Sequence, residues 1–208
     1  MKKLELNSSI DLKREGKSFY WASYFLPKNS KENAGILYSI CRYFDDIADK
    51  NNDDQTLFLK DSIEEIKNNK NNVVNIFLKK NKINNLVFTD LIEGLILDQK
   101  KIKIQDKKEL IKYSYHVAGT VGLMMSKILG VKHKNATRSA IDLGIGMQLT
   151  NIARDVHEDA QMNRIYIPAT WIPNLDLVNL KTKNQSNYAQ EIDISNAILK
   201  VINLSEEL

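Results

Sequence analysis

Cysteine is nearly absent from this chain: Cys41 stands alone in 208 residues, which excludes a disulfide framework and a cysteine-based zinc site. Proline and glycine are scarce as well, at 3 and 8 residues, so long stretches run without a helix breaker. No apolar run reaches the roughly 18 residues a membrane-spanning helix needs, and no apolar signal core follows the basic start MKKLELNSSIDLK. No segment alternates apolar and polar residues over a useful length, which argues against sheet. Basic runs interleaved with aromatics are missing too. Thirty Lys and Arg against 26 Asp and Glu leave a net charge of only +4, so nucleic acid is not an expected partner. What remains is a mildly basic chain, 43% hydrophobic and 27% charged, of a size for one domain with its own core. It reads as soluble, intracellular and all-α.

The helical reading follows the apolar spacing. Asn29 with Glu32 has capping-box spacing, and Ala34, Leu37, Tyr38, Cys41 and Phe44 recur at helical intervals, predicting a helix to about Asp49. Leu57, Leu59, Ile63 and Ile66 mark a second helix, the polar KNNKNN around residue 70 a loop, and Leu86, Leu91, Leu95 and Ile96 a third helix. Asp106 with Glu109 repeats the capping box ahead of Leu110, Tyr113, Val117 and Val121. A longer helix is predicted from Arg138 to Val156, and an amphipathic one starts at Ile194 with Ala197, Ile198, Val201 and Leu204. The many Lys, Asn and Ile residues crowd the loops without pattern, as a coding bias would place them.

Two acidic clusters carry the chemistry. In Asp45-Asp46-Ile47-Ala48-Asp49, Asp45 and Asp49 lie one helical turn apart on one face. Like charges there repel, and a cation between them removes the conflict. Oxygen ligands without His or Cys suit Mg²⁺, although one DxxxD also fits a solvated acidic face. The second cluster is Gln148, Asn151, Asp155 and Asp159, whose spacings of 3, 4 and 4 put four polar groups on one face of the Arg138 helix. By itself it fits a solvated edge equally well. Together the clusters put two carboxylate pairs on two helices. Facing across a bundle core, they would form a multinuclear Mg²⁺ site whose natural ligand is a diphosphate.

Arg42, Arg154 and Arg164 sit close to these aspartates in sequence, as phosphate ligands or as ordinary salt-bridge partners. Most aromatics of GKSFYWASYFLP, which carries Ser18, Tyr20 and Tyr24, are expected in the core. His116, His133 and His157 share no ligand spacing and are read as non-catalytic. Gly119, Gly122, Gly144 and Gly146 interrupt helices near the acidic clusters, which calls for close helix packing or for a tunnel with room for a hydrocarbon.

The segments GKSFYWASYFLP, LYSICRYFDDIAD, YSYHVAGTVGLMM and GMQLTNIARDVHEDAQMNRIYIPATWI resemble, in order, the signature blocks of the squalene and phytoene synthase family, with bacterial phytoene synthases nearest. The resemblance runs from about residue 16 to 175. It implies an isoprenoid synthase helical bundle around a central cavity, a single domain over 1–208 lacking the family's last helices. By resemblance, Asp45, Asp46 and Asp49 are the first metal-binding set, and Asn151, Asp155 and Asp159 the second. Arg42, Gln148 and Arg154 match positions that bind diphosphate or line the reaction centre, with Arg164 a further substrate ligand. Ser18, Tyr38 and Tyr115 match positions near the diphosphates or the carbocations.

The implied activity is Mg²⁺-dependent head-to-head condensation of two geranylgeranyl diphosphates through prephytoene diphosphate to phytoene, the first committed step of carotenoid synthesis. Mn²⁺ could replace Mg²⁺, and no nicotinamide cofactor is expected. Two alternatives stand beside it: a squalene or dehydrosqualene synthase acting on farnesyl diphosphate, and a non-catalytic relative acting as a scaffold or assembly factor. Since phytoene is insoluble in water, the expected location is cytoplasmic, in peripheral contact with the inner membrane face. Downstream carotenoid enzymes are the expected protein partners.

Overall fold

The computed structural model describes residues 17–50, 52–99, 102–173, 175, 180–181 and 188–208, with side chains from residue 19 on and, in the last segment, from residue 191 on. Among them the only extended pairing is an isolated parallel bridge between Lys103 and Ile165, so the all-α expectation holds. No helix among the described residues is long and apolar enough to cross a membrane. The chain divides into two compact units, Met1–Gln99 with Leu123–Thr137 and Lys100–Gly122 with Arg138–Leu208.

The first unit contains α1 (Lys17–Ser23), α2 (Lys28–Ala48), α3 (Asp53–Lys67), α4 (Val73–Lys80) and α5 (Asn85–Asp98). Helices α2, α3 and α5 pack on one another. Their buried faces bring together Leu37, Ile40 and Phe44, then Leu59 and Ile66, then Phe88 and Ile92. Phe44 meets Phe88 edge to face at 5.4 Å. Each such side chain contributes about 1.5–3 kcal/mol on leaving water.

Three asparagines start helices here. Asn52, Asn72 and Asn84 each accept a backbone N–H through the side chain, from Gln55, Asn75 and Leu86. The asparagines that read as patternless are thus, in part, N-caps. Helix α4 was not predicted, because its apolar run Val73–Leu78 is short and its flanks are Asn and Lys. The Asn29 capping box does not form. Pro27 is the N-cap of α2, so Asn29 lies inside the first turn and accepts from Asn33 Nδ2 instead.

The second unit carries α6 (Lys107–Ser114), a π-helical turn (Tyr115–Gly119), the start of α7 (Thr120–Ile128), most of α8 (Lys134–Arg154), α9 (Val156–Gln161) and α10 (Tyr188–Glu206). Of the predicted Asp106 capping box the N-cap half forms: Asp106 Oδ1 accepts from Glu109 N at 2.8 Å. Glu109 reaches back one residue further, to Gln105 N at 2.7 Å. The unit's core joins Leu110 and Tyr113 to Ile145, Leu149 and Ile152 of α8. From α10 it takes Ile194, Ala197, Val201 and Leu204, the face expected from spacing. After α9 the chain is tied to the segment before α6, with Ile165 N bonded to Ile102 O and Ala169 N to Ile104 O. Tyr166 stacks on Tyr113 at 4.8 Å between ring centres.

The small residues also resolve. A Cβ on Gly122 would lie 2.0 Å from the Ala140 carbonyl oxygen, and one on Gly144 would lie 2.5 Å from that of Ala118. No side chain fits at either place, so close packing accounts for both glycines without a tunnel.

Candidate active site

In the first unit one helix presents five of the predicted residues. Tyr38, Arg42, Asp45 and Asp46 follow at helical spacing along α2, and Asp49 is its C-cap. Arg42 bridges two of the carboxylates, Nη1 to Asp45 Oδ2 at 2.8 Å and Nη2 to Asp46 Oδ1 at 2.9 Å. Burial raises the Asp45 carboxyl most, Asp49 adds to that, Arg42 opposes, and Asp46 and Asp98 raise it further, so it is pushed up to about 6. Asp98 closes α5 and is a carboxylate that the reading of the sequence missed. Its only signal was an acid ending the apolar run LIEGLILD. Gln99 beside it donates from Nε2 to Ala48 O at 3.1 Å, tying the end of α5 to the end of α2.

The second set lies in the other unit and is built differently. The continuous helix expected from Arg138 to Val156 starts earlier, at Lys134, and breaks at Asp155, whose backbone (φ −102°, ψ 15°) leaves the helical region. Asp155 becomes the N-cap of α9. The i to i−4 bonds nevertheless persist across the break, from Asp155 N to Asn151 O at 2.9 Å and from Asp159 N to Asp155 O at 2.8 Å. The four polar residues therefore keep their succession along two helices rather than one. Nor is the stripe buried: Asn151 is exposed, and Gln148, Asp155 and Asp159 are partly exposed.

Arg154 grips Asp155 with two bonds of 2.6 Å, from Nε and Nη2. That fork holds the Asp155 carboxyl below the usual carboxylate range, and Asp155 in turn raises Arg154. Arg164 is half-buried after α9, its backbone N–H bonded to Asp159 O at 2.9 Å. Tyr115 opens the π-helical turn, its ring edge-on to His116, and both are half-buried. Such turns are a recurrent feature of functional sites.

The aromatics of the first block do not enter the core. Phe19, Trp21, Tyr24 and Phe25 are exposed, Phe25 to 90%. Tyr20 and Trp21 of the seven-residue α1 instead pack on Tyr24 just after it, with Tyr20 and Tyr24 joined hydroxyl to hydroxyl at 2.7 Å and Lys31 Nζ 3.7 Å above the Tyr24 ring. The Ser18 side chain lies outside the described residues.

Among the described residues, no three His, Cys, Asp or Glu side chains converge closely enough to enclose a metal. The donors nevertheless fit Mg²⁺, which is commonly held by one or two carboxylates while phosphate and water complete its shell. The raised Asp45 carboxyl marks a place where added positive charge is favourable.

Residues 12–208 match the family model for squalene/phytoene synthase, and the chain belongs to that family. A 15-cis-phytoene synthase of Pantoea ananas is 30% identical over 88% of this chain and 64% of its own length. One from Enterobacter agglomerans is 31% identical over 75% of this chain and 59% of its own. The chain thus spans about three fifths of these curated relatives. The crystal structure of a dehydrosqualene synthase in complex with a ligand matches 96% of this chain and 74% of its own, with a TM-score of 0.79 at 31% identity. The helical fold is that of the isoprenoid synthases.

Proposed function

We propose that this protein is a prenyltransferase that condenses two geranylgeranyl diphosphates head to head, through prephytoene diphosphate, to phytoene. The observation that supports it most is family membership with both aspartate sets present in the chain, one of them holding a carboxyl raised first by burial and then by its acidic neighbours. Mg²⁺ on these carboxylates would neutralise diphosphate as it leaves. Arg42, Arg154 and Arg164 would bind diphosphate oxygens, with Gln148 and Asn151 orienting the headgroup. For Arg42 and Arg154 this means exchanging a carboxylate partner for phosphate. Tyr38 and Tyr115 would present ring faces to the allylic cation and keep water from it. Ser18 completes the proposed diphosphate contacts. Release of an insoluble hydrocarbon implies peripheral contact with the inner face of the cytoplasmic membrane, where downstream carotenoid enzymes would take it up.

A second reading is favoured by the likeness to a dehydrosqualene synthase at a TM-score of 0.79: condensation of two farnesyl diphosphates. One assay separates the two. Purified protein is incubated with each diphosphate, with and without Mg²⁺, and the extracted hydrocarbon identified. A Mg²⁺-dependent forty-carbon product is expected. A thirty-carbon product would establish the second reading, and no product from either substrate would overturn both for this chain.

A further inference from the structure

In the first unit a single amide side chain holds three helix ends together. Gln99 is the C-cap of α5. Its Nε2 donates to the carbonyl oxygen of Ala48, the last residue of α2, at 3.1 Å. Its Oε1 accepts from Thr56 Oγ1, in the first turn of α3, at 2.8 Å. The partners fix which way the amide points. A carbonyl only accepts, so the NH₂ group faces Ala48 and the oxygen is left for the hydroxyl. That hydroxyl lies further, at 3.2 Å, from Asn52 O.

The bond to Ala48 answers a need of the backbone. The last carbonyls of a helix have no partner within it, and Ala48 is buried, so its oxygen depends on a donor from another element. Gln99 supplies that donor one residue before Asp49. The apolar contacts that hold α2 to α5, such as Phe44 on Phe88, are non-directional and leave the course of the last turn to hydrogen bonds.

Asp49 is the member of the first aspartate set that most needs such support. Asp45 and Asp46 lie inside α2, whereas Asp49 is its exposed C-cap, with its N–H bonded to Asp45 O at 2.9 Å. Helix ends fray, and a carboxylate carried there is placed only as well as the end itself. Asp98 immediately precedes Gln99 and acts on Asp45. The same side chain therefore ties down the residue before Asp49 and the residue after Asp98.

We propose that Gln99 is a positioning residue for the first aspartate set, holding Asp49 and Asp98 beside Asp45 for a divalent cation by clamping the ends of α2, α3 and α5. This rests on the metal reading of that set given above. The test titrates Mn²⁺ onto the full chain without substrate and reads the free ion by electron paramagnetic resonance. Asp45→Ala marks the share of binding that belongs to the first set. In Q99M, which keeps the length and loses the amide, Kd for that share should rise about tenfold, as expected on losing a partner that orients metal ligands from behind. Thr56→Val, which cuts one arm of the clamp, should raise it by a smaller factor, and Thr56→Ser, which keeps the hydroxyl, should bind like wild type. Asn72→Ala removes the cap of α4 and lowers Tm without touching the clamp, so its Kd should stay at the wild-type value. Circular dichroism checks that each variant folds. A lower Tm in Q99M with Kd unchanged would make Gln99 merely structural and overturn the proposal. So would a rise in Asn72→Ala equal to that in Q99M. Binding that Asp45→Ala leaves intact, or no binding at all, would instead remove the metal reading, and the proposal with it.

Discussion

The two aspartate sets use the same residue type under opposite electrostatic conditions. On α2, Asp45 sits among Asp46, Asp49 and Asp98 with Arg42 as the opposing charge, and its carboxyl is pushed up to about 6. At the start of α9, Asp155 lies in a two-bond Arg154 fork, and its carboxyl is held down. Burial separates them too, since it is the first cause of the Asp45 shift, while the Arg154 fork outweighs it at Asp155. The first set raises the carboxyl of Asp45 by burial and by its acidic neighbours on an unbroken helix. In the second set Asp155 is already paired with Arg154, which diphosphate would have to draw away under the proposed function. Under the proposed function the two sets would divide the work, the first taking up metal and the second exchanging its arginine between carboxylate and phosphate.

The largest expected effects address that division directly. Asp45→Ala and Asp155→Ala should each lower turnover by on the order of a hundred- to a thousandfold while circular dichroism stays unchanged. Wild-type turnover in either variant would remove that set from the chemistry. The next effect is structural and confined to the second set's unit. Gly122→Ala places a methyl group 2.0 Å from the Ala140 carbonyl oxygen and forces α7 and α8 apart. It should cost about 1–3 kcal/mol, or more, and lower Tm accordingly. A Tm at or above wild type would show that the crossing has slack.

How much of this could be read from the sequence depended on whether the cause was local. The spacing Asp45 to Asp49 needs only an unbroken helix, and the run from Ala34 to Asp49 holds one Gly and no Pro, so the first set was legible. The Asp106 N-cap bond is equally local and forms. The break at Asp155 was not legible, because NIARDVHEDA contains neither Gly nor Pro. Asp98 escaped notice because its importance comes from α5 packing on α2, which no local pattern encodes. The exposed rings of the first block were misplaced for the converse reason: apolar composition predicts burial, but Tyr20, Trp21 and Tyr24 pack on one another, and Tyr24 on Lys31. Asparagines read as coding bias turned out to cap α3, α4 and α5, because a cap is recognised only once the helix start is known.

The smallest effects are in stability, and there the two sets should differ in sign. Asp45 has a folded-state value of about 6 against 3.8 for an unperturbed carboxyl, so between those values the folded chain holds a proton that the unfolded chain has released. Stability then falls as pH rises through that window. Asp45→Asn carries no such charge, so without Mg²⁺ it should melt a few degrees above wild type at neutral pH, and the gain should vanish below about pH 4. Solvent screening limits the gain, because the Asp45 side chain is 38% exposed. Asp155 works the other way. Its lowered value means the ionised carboxylate stabilises the folded chain above the ordinary carboxyl range and loses that contribution only as pH falls through the lowered value. Asp155→Asn should therefore lower Tm slightly at neutral pH, and by less at high salt, since the Arg154 pair lies on the surface. Adding Mg²⁺ sharpens the contrast: wild type should gain Tm and Asp45→Asn should gain less, because the variant removes one proposed ligand of the first set. If both asparagine variants lowered Tm at neutral pH, the two sets would not be opposites, and Arg42 would have to balance Asp45 as fully as Arg154 balances Asp155.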